Sequence, residues 1–322
     1  MMSFLLIAIV TTMQSSAEWD YSKGLPSAKV TIQVQDDQHK VITGARVVVC
    51  FVVSAGPASG SKSIERAGLT DTGGVFTAFG ETAEKIFITV EMDSYYSNYT
   101  KYRFTNVVAN KWQPWNPVVT QVLRRVENPI PMYAKHVEAD LPSADQPVGY
   151  DLIAGDWITP YGKGTHEDLI FKVTKRRVIS FKDFNASLLL DFSNKTDGLR
   201  RKEGGSFGDS RFPWSYNAPE EGYDESQQIS IGYLPGKGYF ETNESATCYF
   251  RVRTVTNEQG VIVSSYYGKM PEPIKFDVRD TKTGWIKFTY YINPTPNDRN
   301  MEFDPKKNLF KNLKSTEEVT AP

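Results

Sequence analysis

The stretch KVTIQVQ, Lys29 to Gln35, sets Val30, Ile32 and Val34 against Thr31, Gln33 and Gln35. A period of two sends alternate side chains to opposite faces of an extended chain, so this is the pattern of a strand buried on one side. The same texture runs through the sequence, and the first half shows no sustained period of 3.6. ARVVVCFVVS, from Ala45, is a continuous β-branched run, as expected of a strand covered on both faces. EKIFITVEM and PVVTQVLRRV supply two more strands. Beyond residue 148, EDLIFKVTKR, NASLLLDFSN, QQISIGYLP, SATCYFRVRTV, VIVSSYYGK, IKFDVRD and GWIKFTYYINP read the same way, separated by Gly, Pro, Asn or Asp. The 17 Tyr, 18 Phe, 23 Gly and 18 Pro suit strands and turns. The spacing predicts an all-β protein of two β-sandwich domains in tandem. The second is the larger and antiparallel, with a jelly roll among the forms open to it.

Length fits two cores, since 322 residues exceed what one small domain needs. The predicted boundary is the Pro-rich segment Glu127 to Pro147, whose four prolines disfavour helix interiors and central strands. The expected layout is therefore a first sandwich over 27–126, a packed connector over 127–147, a second sandwich over 148–310, and a frayed polar tail over 311–322. At the N-terminus, the apolar run Phe4 to Val10 followed by Ser15-Ser16-Ala17 reads as a signal peptide cleaved after Ala17, although no Lys or Arg precedes the run. The run is far short of the roughly 20 residues that span a bilayer. The expected setting is therefore secreted or periplasmic, with no transmembrane segment in the mature chain. A formal charge of −1 argues against nucleic acid as a partner. Cys50 and Cys248, the two cysteines, cannot form a C-x-x-C site, and separately buried thiols are favoured over a bridge.

The order VTIQVQD, HKVITGARVVV, LTDTGGVFTA, FITVEMDSYY resembles carboxypeptidase regulatory-like and bacterial immunoglobulin-like domains of transthyretin-like sandwich topology. The matching residues are Gly44-Ala45-Arg46-Val47 and Thr70-Asp71-Thr72-Gly73-Gly74-Val75-Phe76, and the resemblance covers about residues 27–126. It implies a spacer, surface or docking module and no catalysis. Read from the residues alone, TDTGGVF is a turn. Asp71 can accept from backbone two residues on, Gly73 or Gly74 can take positive φ, and Phe76 enters the next strand facing inward. One carboxylate is too few for Ca²⁺.

Few residues suggest chemistry. GGSFG, Gly204 to Gly208, fits G-x-S-x-G but lacks the strand before and helix after that the motif requires. His39, His136 and His166 are unpaired in sequence, and THED, with His166-Glu167-Asp168, reads as a solvated turn. DFSNKTDG fails the EF-hand spacing at Lys195. No metal and no cofactor is expected. Asp151, Asp156, Trp157 and Tyr161 could front a glycosidase site, but the sequence supplies no second carboxylate opposite them. Four N-glycosylation sequons begin at Asn98, Asn185, Asn194 and Asn243, and the basic run KVTKRR reads as a solvated face.

The stretch Glu203 to Ser226 is long and aromatic without a strand period, so it is the expected contact surface. The candidate ligand-binding residues are Phe207, Asp209, Arg211, Phe212, Trp214, Tyr216 and Tyr223. The competing reading folds these rings over the core. The function expected is an exported, non-catalytic binding or structural module of the cell envelope, contacting carbohydrate or protein. The rivals are a polysaccharide hydrolase around Asp151–Tyr161 and a subunit of a surface assembly, which would show an exposed apolar patch or unpaired edge strand.

Overall fold

A computed structural model describes residues 24–56, 60–202, 209–243 and 247–322, without the side chains of 54–56, 60, 61 and 243. The expected signal peptide lies outside the described residues. The chain divides into two compact units. One comprises the residues up to Arg125 together with Asp209–Arg211; the other comprises the rest from Val126.

The first unit holds β1 (Ser27–Asp36), β2 (Arg46–Gly56), β3 (Gly60–Leu69), β4 (Val75–Glu81), β5 (Lys85–Glu91), β6 (Tyr95–Tyr96), β7 (Asn98–Arg103), β8 (Asn106–Val108), β9 (Lys111–Gln113) and β10 (Val118–Arg125). β1 pairs parallel with β10, Thr31 opposite Val118, and antiparallel with β4, Ile32 opposite Phe76. The other sheet runs β3-β2-β5-β7, antiparallel throughout. Val30, Ile32 and Val34 of β1 meet Val47, Val49 and Phe51 of β2 and Ile86, Ile88 and Val90 of β5 in one core. Two sheets sharing one apolar interior make a β-sandwich. Full burial of each such side chain contributes about 1.5–3 kcal/mol.

The TDTGGVF turn is held as its residues suggest. Asp71 Oδ1 accepts from the backbone N–H groups of Gly73 and Val75, both at 2.9 Å. Gly74 takes the positive φ, at 73°. Thr70 Oγ1 donates to Ile42 O at 2.7 Å and accepts from Ala45 N at 2.9 Å. The hydroxyl therefore ties the turn to the Gly44-Ala45 corner. Phe76 packs on the core from a half-buried position, its ring lying where a Cβ on Gly68 would fall.

The second unit holds β11 (Tyr133–Asp140), β12 (Val148–Asp151), β13 (Asp156–Trp157), β14 (Leu169–Ser180), β15 (Asp183–Asp191), β16 (Gly198–Arg201), β17 (Ser226–Leu234), β18 (Gly238–Asn243), β19 (Cys248–Thr256), β20 (Ile262–Met270), β21 (Lys275–Asp277) and β22 (Trp285–Ile292). One sheet runs β11-β22-β20-β19-β16 with β21 on β22; the other runs β13-β12-β14-β15-β17-β18. Leu169, Phe171, Phe184 and Leu188 of the second sheet share a core with Phe250, Ile286 and Phe288 of the first. This is again a sandwich, here with antiparallel pairing of its strands throughout.

Two expectations need correction. The segment 127–147 is not a separate connector. Its centre is β11, the edge strand beside β22, and all four prolines fall outside that strand. Before β11, Ile130 bonds Glu302 and Asp304 through the backbone, and Met132 is fully buried. The tail 311–322 is not frayed. His136 N donates to Glu317 O at 2.9 Å, Val319 packs against the cluster of Met132, Ala134, Tyr291 and Phe303, and Tyr291 Oη donates to Ala321 O at 3.2 Å. An edge strand offers unpaired backbone groups, and the tail satisfies some of them.

Candidate functional site

The aromatic loop does not form an exposed ledge. Phe207 lies outside the described residues. Asp209 and Arg211 are exposed and belong with the first unit, where they close the free edge of β7. Tyr99 N donates to Asp209 O and Arg211 N to Ser97 O, both at 2.9 Å, and Thr100 Oγ1 donates to Asp209 Oδ2 at 2.9 Å. Phe212 and Trp214 are 0% and 2% exposed in the second unit, which withdraws both from direct ligand contact. Burying large rings outweighs displaying them unless a partner covers them.

What Phe212 and Trp214 enclose is a lysine. Lys269 Nζ lies 4.8 Å from the Phe212 ring centroid, 5.4 Å from Trp214 and 4.6 Å from Tyr291, and donates to Met301 O at 2.7 Å. Burial pushes the Lys269 pKa well below the usual lysine range, and the Glu302 carboxylate partly opposes this. Tyr216 is half-buried, with its ring 5.6 Å from Phe212. Tyr223 is also half-buried; its hydroxyl donates to Pro219 O at 2.7 Å, and Arg251 sits 4.7 Å above its ring. The rings at 212, 214 and 216 alternate along the chain. That period was the available signal for one-sided burial.

The carboxylate that the sequence could not place opposite Asp151 is Asp168. One guanidinium holds both. Arg253 Nε and Nη2 donate to Asp168 Oδ1 and Oδ2 at 2.7 Å each, and Nη2 also reaches Asp151 Oδ1 at 2.8 Å. Asp151 further accepts from the backbone N–H groups of Ile153, Ala154, Thr165 and His166. Burial opposes ionisation of Asp151, but those amides and Arg253 outweigh it and hold the carboxyl below its usual range. Both carboxylates are 3% exposed. THED is therefore not simply a solvated turn: His166 faces solvent while Asp168 is sealed inside. Glycoside hydrolysis needs an accessible protonated carboxyl and an accessible carboxylate, and two buried carboxyls held on one guanidinium suit neither role. The cluster clamps the 151–168 segment to β19.

The same segment does front a cavity of about 530 Å³. Asp156 and Trp157 stand on one side, His136 and Glu138 of β11 on another, and Lys314 and Glu317 of the tail on a third. Asp156 is oriented by the amides of Trp157 and Lys163 at 2.9 and 3.1 Å. Glu138 bonds Lys287 at 3.0 Å, and that hydrogen bond holds its carboxyl below the ordinary range. Burial acts to raise Glu317, but the Lys314 amide and the Lys135 ammonium, 3.1 Å away, overcome it and lower the carboxyl. These residues offer paired polar groups, and the buried Tyr150 also lines the cavity.

Among the described residues no group of three or more His, Cys, Asp or Glu could hold a metal ion. Asn98, the first residue of one sequon, is 5% exposed and donates to Val122 O at 3.1 Å, so it is closed to a glycan in the folded protein. Cys50 is half-buried and Cys248 buried, both unbridged. Among the described residues no helix is long and apolar enough to cross a membrane, which leaves β-barrels aside.

No protein-family model and no curated protein matches the sequence. Solved structures with local likeness include catechol 1,2 dioxygenase of Acinetobacter radioresistens, 13% identical over 33% of this chain and 54% of that one, TM-score 0.26. A Streptococcal ancillary pilin is 12% identical over 82% of this chain and 58% of its own, TM-score 0.21. A candidate carbohydrate binding protein of Bacteroides uniformis is 11% identical over 85% and 99%, TM-score 0.18. The chain thus spans about half of the dioxygenase. At these scores the likenesses decide neither arrangement nor activity.

Proposed function

We propose that the protein is an exported, non-catalytic binding module of the cell envelope, and that it holds a hydroxylated ligand, carbohydrate or peptide, in the cavity beside Asp156 and Trp157. One observation carries this reading. Glu138 and Glu317 in that cavity are both paired with cations and held below the ordinary carboxyl range, so they can accept hydrogen bonds but are poor proton donors. The backbone ties between Thr70 and the Gly44-Ala45 corner favour a carboxypeptidase regulatory-like first domain acting as a spacer. The short apolar N-terminal run favours export.

A glycan array read alongside reducing-sugar release tests the reading. Selective binding that Glu138→Gln and Lys314→Ala weaken, with no sugar released, is expected. Turnover abolished by Glu138→Gln would instead establish the hydrolase.

A second reading, a subunit of a surface assembly, has an observation of its own. Among the described residues β3 pairs only with β2, its residues Lys62 to Ala67 are exposed, and Ile64 is 44% exposed. Such an open edge accepts another strand. Concentration-dependent association abolished by Ile64→Pro would favour it.

A further inference from the structure

The basic run in β14 has no part in the cavity described above. We propose that it forms a second site, a cleft that binds an acidic saccharide through carboxylate or sulfate groups. The cleft measures about 690 Å³ and lies beside the 142–145 loop and Lys282. That volume is within the range of sites for small organic ligands, larger than a single inorganic anion needs.

The fold builds this cleft with a bulge. Val173 pairs with Leu188 but Lys175 pairs with Ser187, so Thr174 is an extra residue in β14. A regular strand sends successive side chains to opposite faces, and a bulge breaks that alternation and re-aims them. Here the consecutive residues Val173 to Arg176 all line the cleft. Arg176 is held in place, its Nη2 donating to Thr281 O at 2.9 Å and Val278 O at 3.5 Å. A guanidinium fixed through one nitrogen keeps its other donors for a ligand.

Lys175 and Lys282 form no ion pair among the described residues, and Asp145 is the one carboxylate in the lining. Three cations against one anion favour a negative ligand. Ser143, Thr174 and Thr283 add hydroxyls suited to a sugar frame. Among the described residues no aromatic ring lines the cleft, so they offer no stacking platform of the kind that single-stranded nucleic acid uses. The cleft stands independently of the Asp156 cavity and of any role assigned there.

Titration calorimetry on the whole chain tests the site, with an oligogalacturonate hexamer, a heparin-derived hexasaccharide, neutral maltohexaose and a thymidine oligonucleotide as probes. At low salt the two acidic saccharides should bind and maltohexaose should not, with binding weakened in about 0.5 M NaCl. The double variant Lys175→Glu, Lys282→Glu should lose at least about tenfold in affinity, while Asp145→Asn gains about threefold. Both substitute exposed groups, and an unchanged thermal midpoint confirms the fold. The proposal is overturned if neither acidic saccharide binds, if the double variant binds as the parent does, or if maltohexaose or the oligonucleotide binds more tightly.

Discussion

Gly74 shows how much one backbone angle decides. It sits at φ 73°, and a Cβ there would come within 2.7 Å of Val34 O. Both strain and contact oppose a side chain, so Gly74→Ala should cost about 1–3 kcal/mol in urea denaturation. An unchanged midpoint would mean the turn is not rigid. Cys248 gives a second test, through pH. Burial pushes its thiol pKa up to about 12, whereas an unfolded thiol titrates near 8.5. The folded state therefore keeps a proton that the unfolded state gives up. Its contribution is fully present below about pH 8.5 and is lost progressively as pH rises toward 12. Between pH 8 and 10 the loss attributable to this residue is about 2 kcal/mol. Cys248→Val should show a shallower alkaline decline; parallel pH curves for the two proteins would contradict it. The turn chemistry was legible because Asp71 and Gly74 act within a few residues of each other. The cage around Lys269 was not, because it joins residue 269 to rings at 212, 214 and 291.

At the scale of elements, the Arg253 clamp is the strongest case. Arg253 itself sits at φ 55° where the register of β19 against β20 shifts after Val252, and this irregularity turns its side chain toward Asp168. Removing the cation leaves two buried carboxylates without it. Arg253→Met should therefore destabilise the second unit by about 3–5 kcal/mol, and Asp168→Asn by less, since a neutral amide still accepts from Leu152 N. Chemical denaturation measures both, and losses under 1 kcal/mol would show the clamp to be solvated. The alternating run KVTIQ and the continuous apolar run SLLLD were readable as strands. β11 was hidden because prolines crowd both its ends, although the strand itself contains none. The hold of the tail on β11 is not legible because it joins His136 and Lys135 to Glu317, some 180 positions apart, partly through backbone groups that carry no sequence signature. The second carboxylate, too, lay beyond a linear reading, since Arg253, whose guanidinium joins Asp168 to Asp151, lies 85 positions beyond Asp168.

For the whole molecule, each unit has a core drawn from its own residues. Ile32, Phe51 and Ile88 belong to one, Phe171, Phe250 and Phe288 to the other. Cores built separately melt as separate cooperative units when each is large enough to be two-state. Calorimetry should resolve two transitions, and the substitutions already described should sort between them. Gly74→Ala should lower only the transition of the first unit, and Arg253→Met only that of the second. Size sets how far each moves. A loss of 1 kcal/mol shifts Tm by about 4–8 °C in a domain of roughly 100 residues and by about 2–4 °C in one of roughly 200. Per kcal/mol, then, the first transition should move about twice as far. If either substitution shifts both transitions equally, the two cores fold as one cooperative body, and the tandem description holds for architecture but not for energetics.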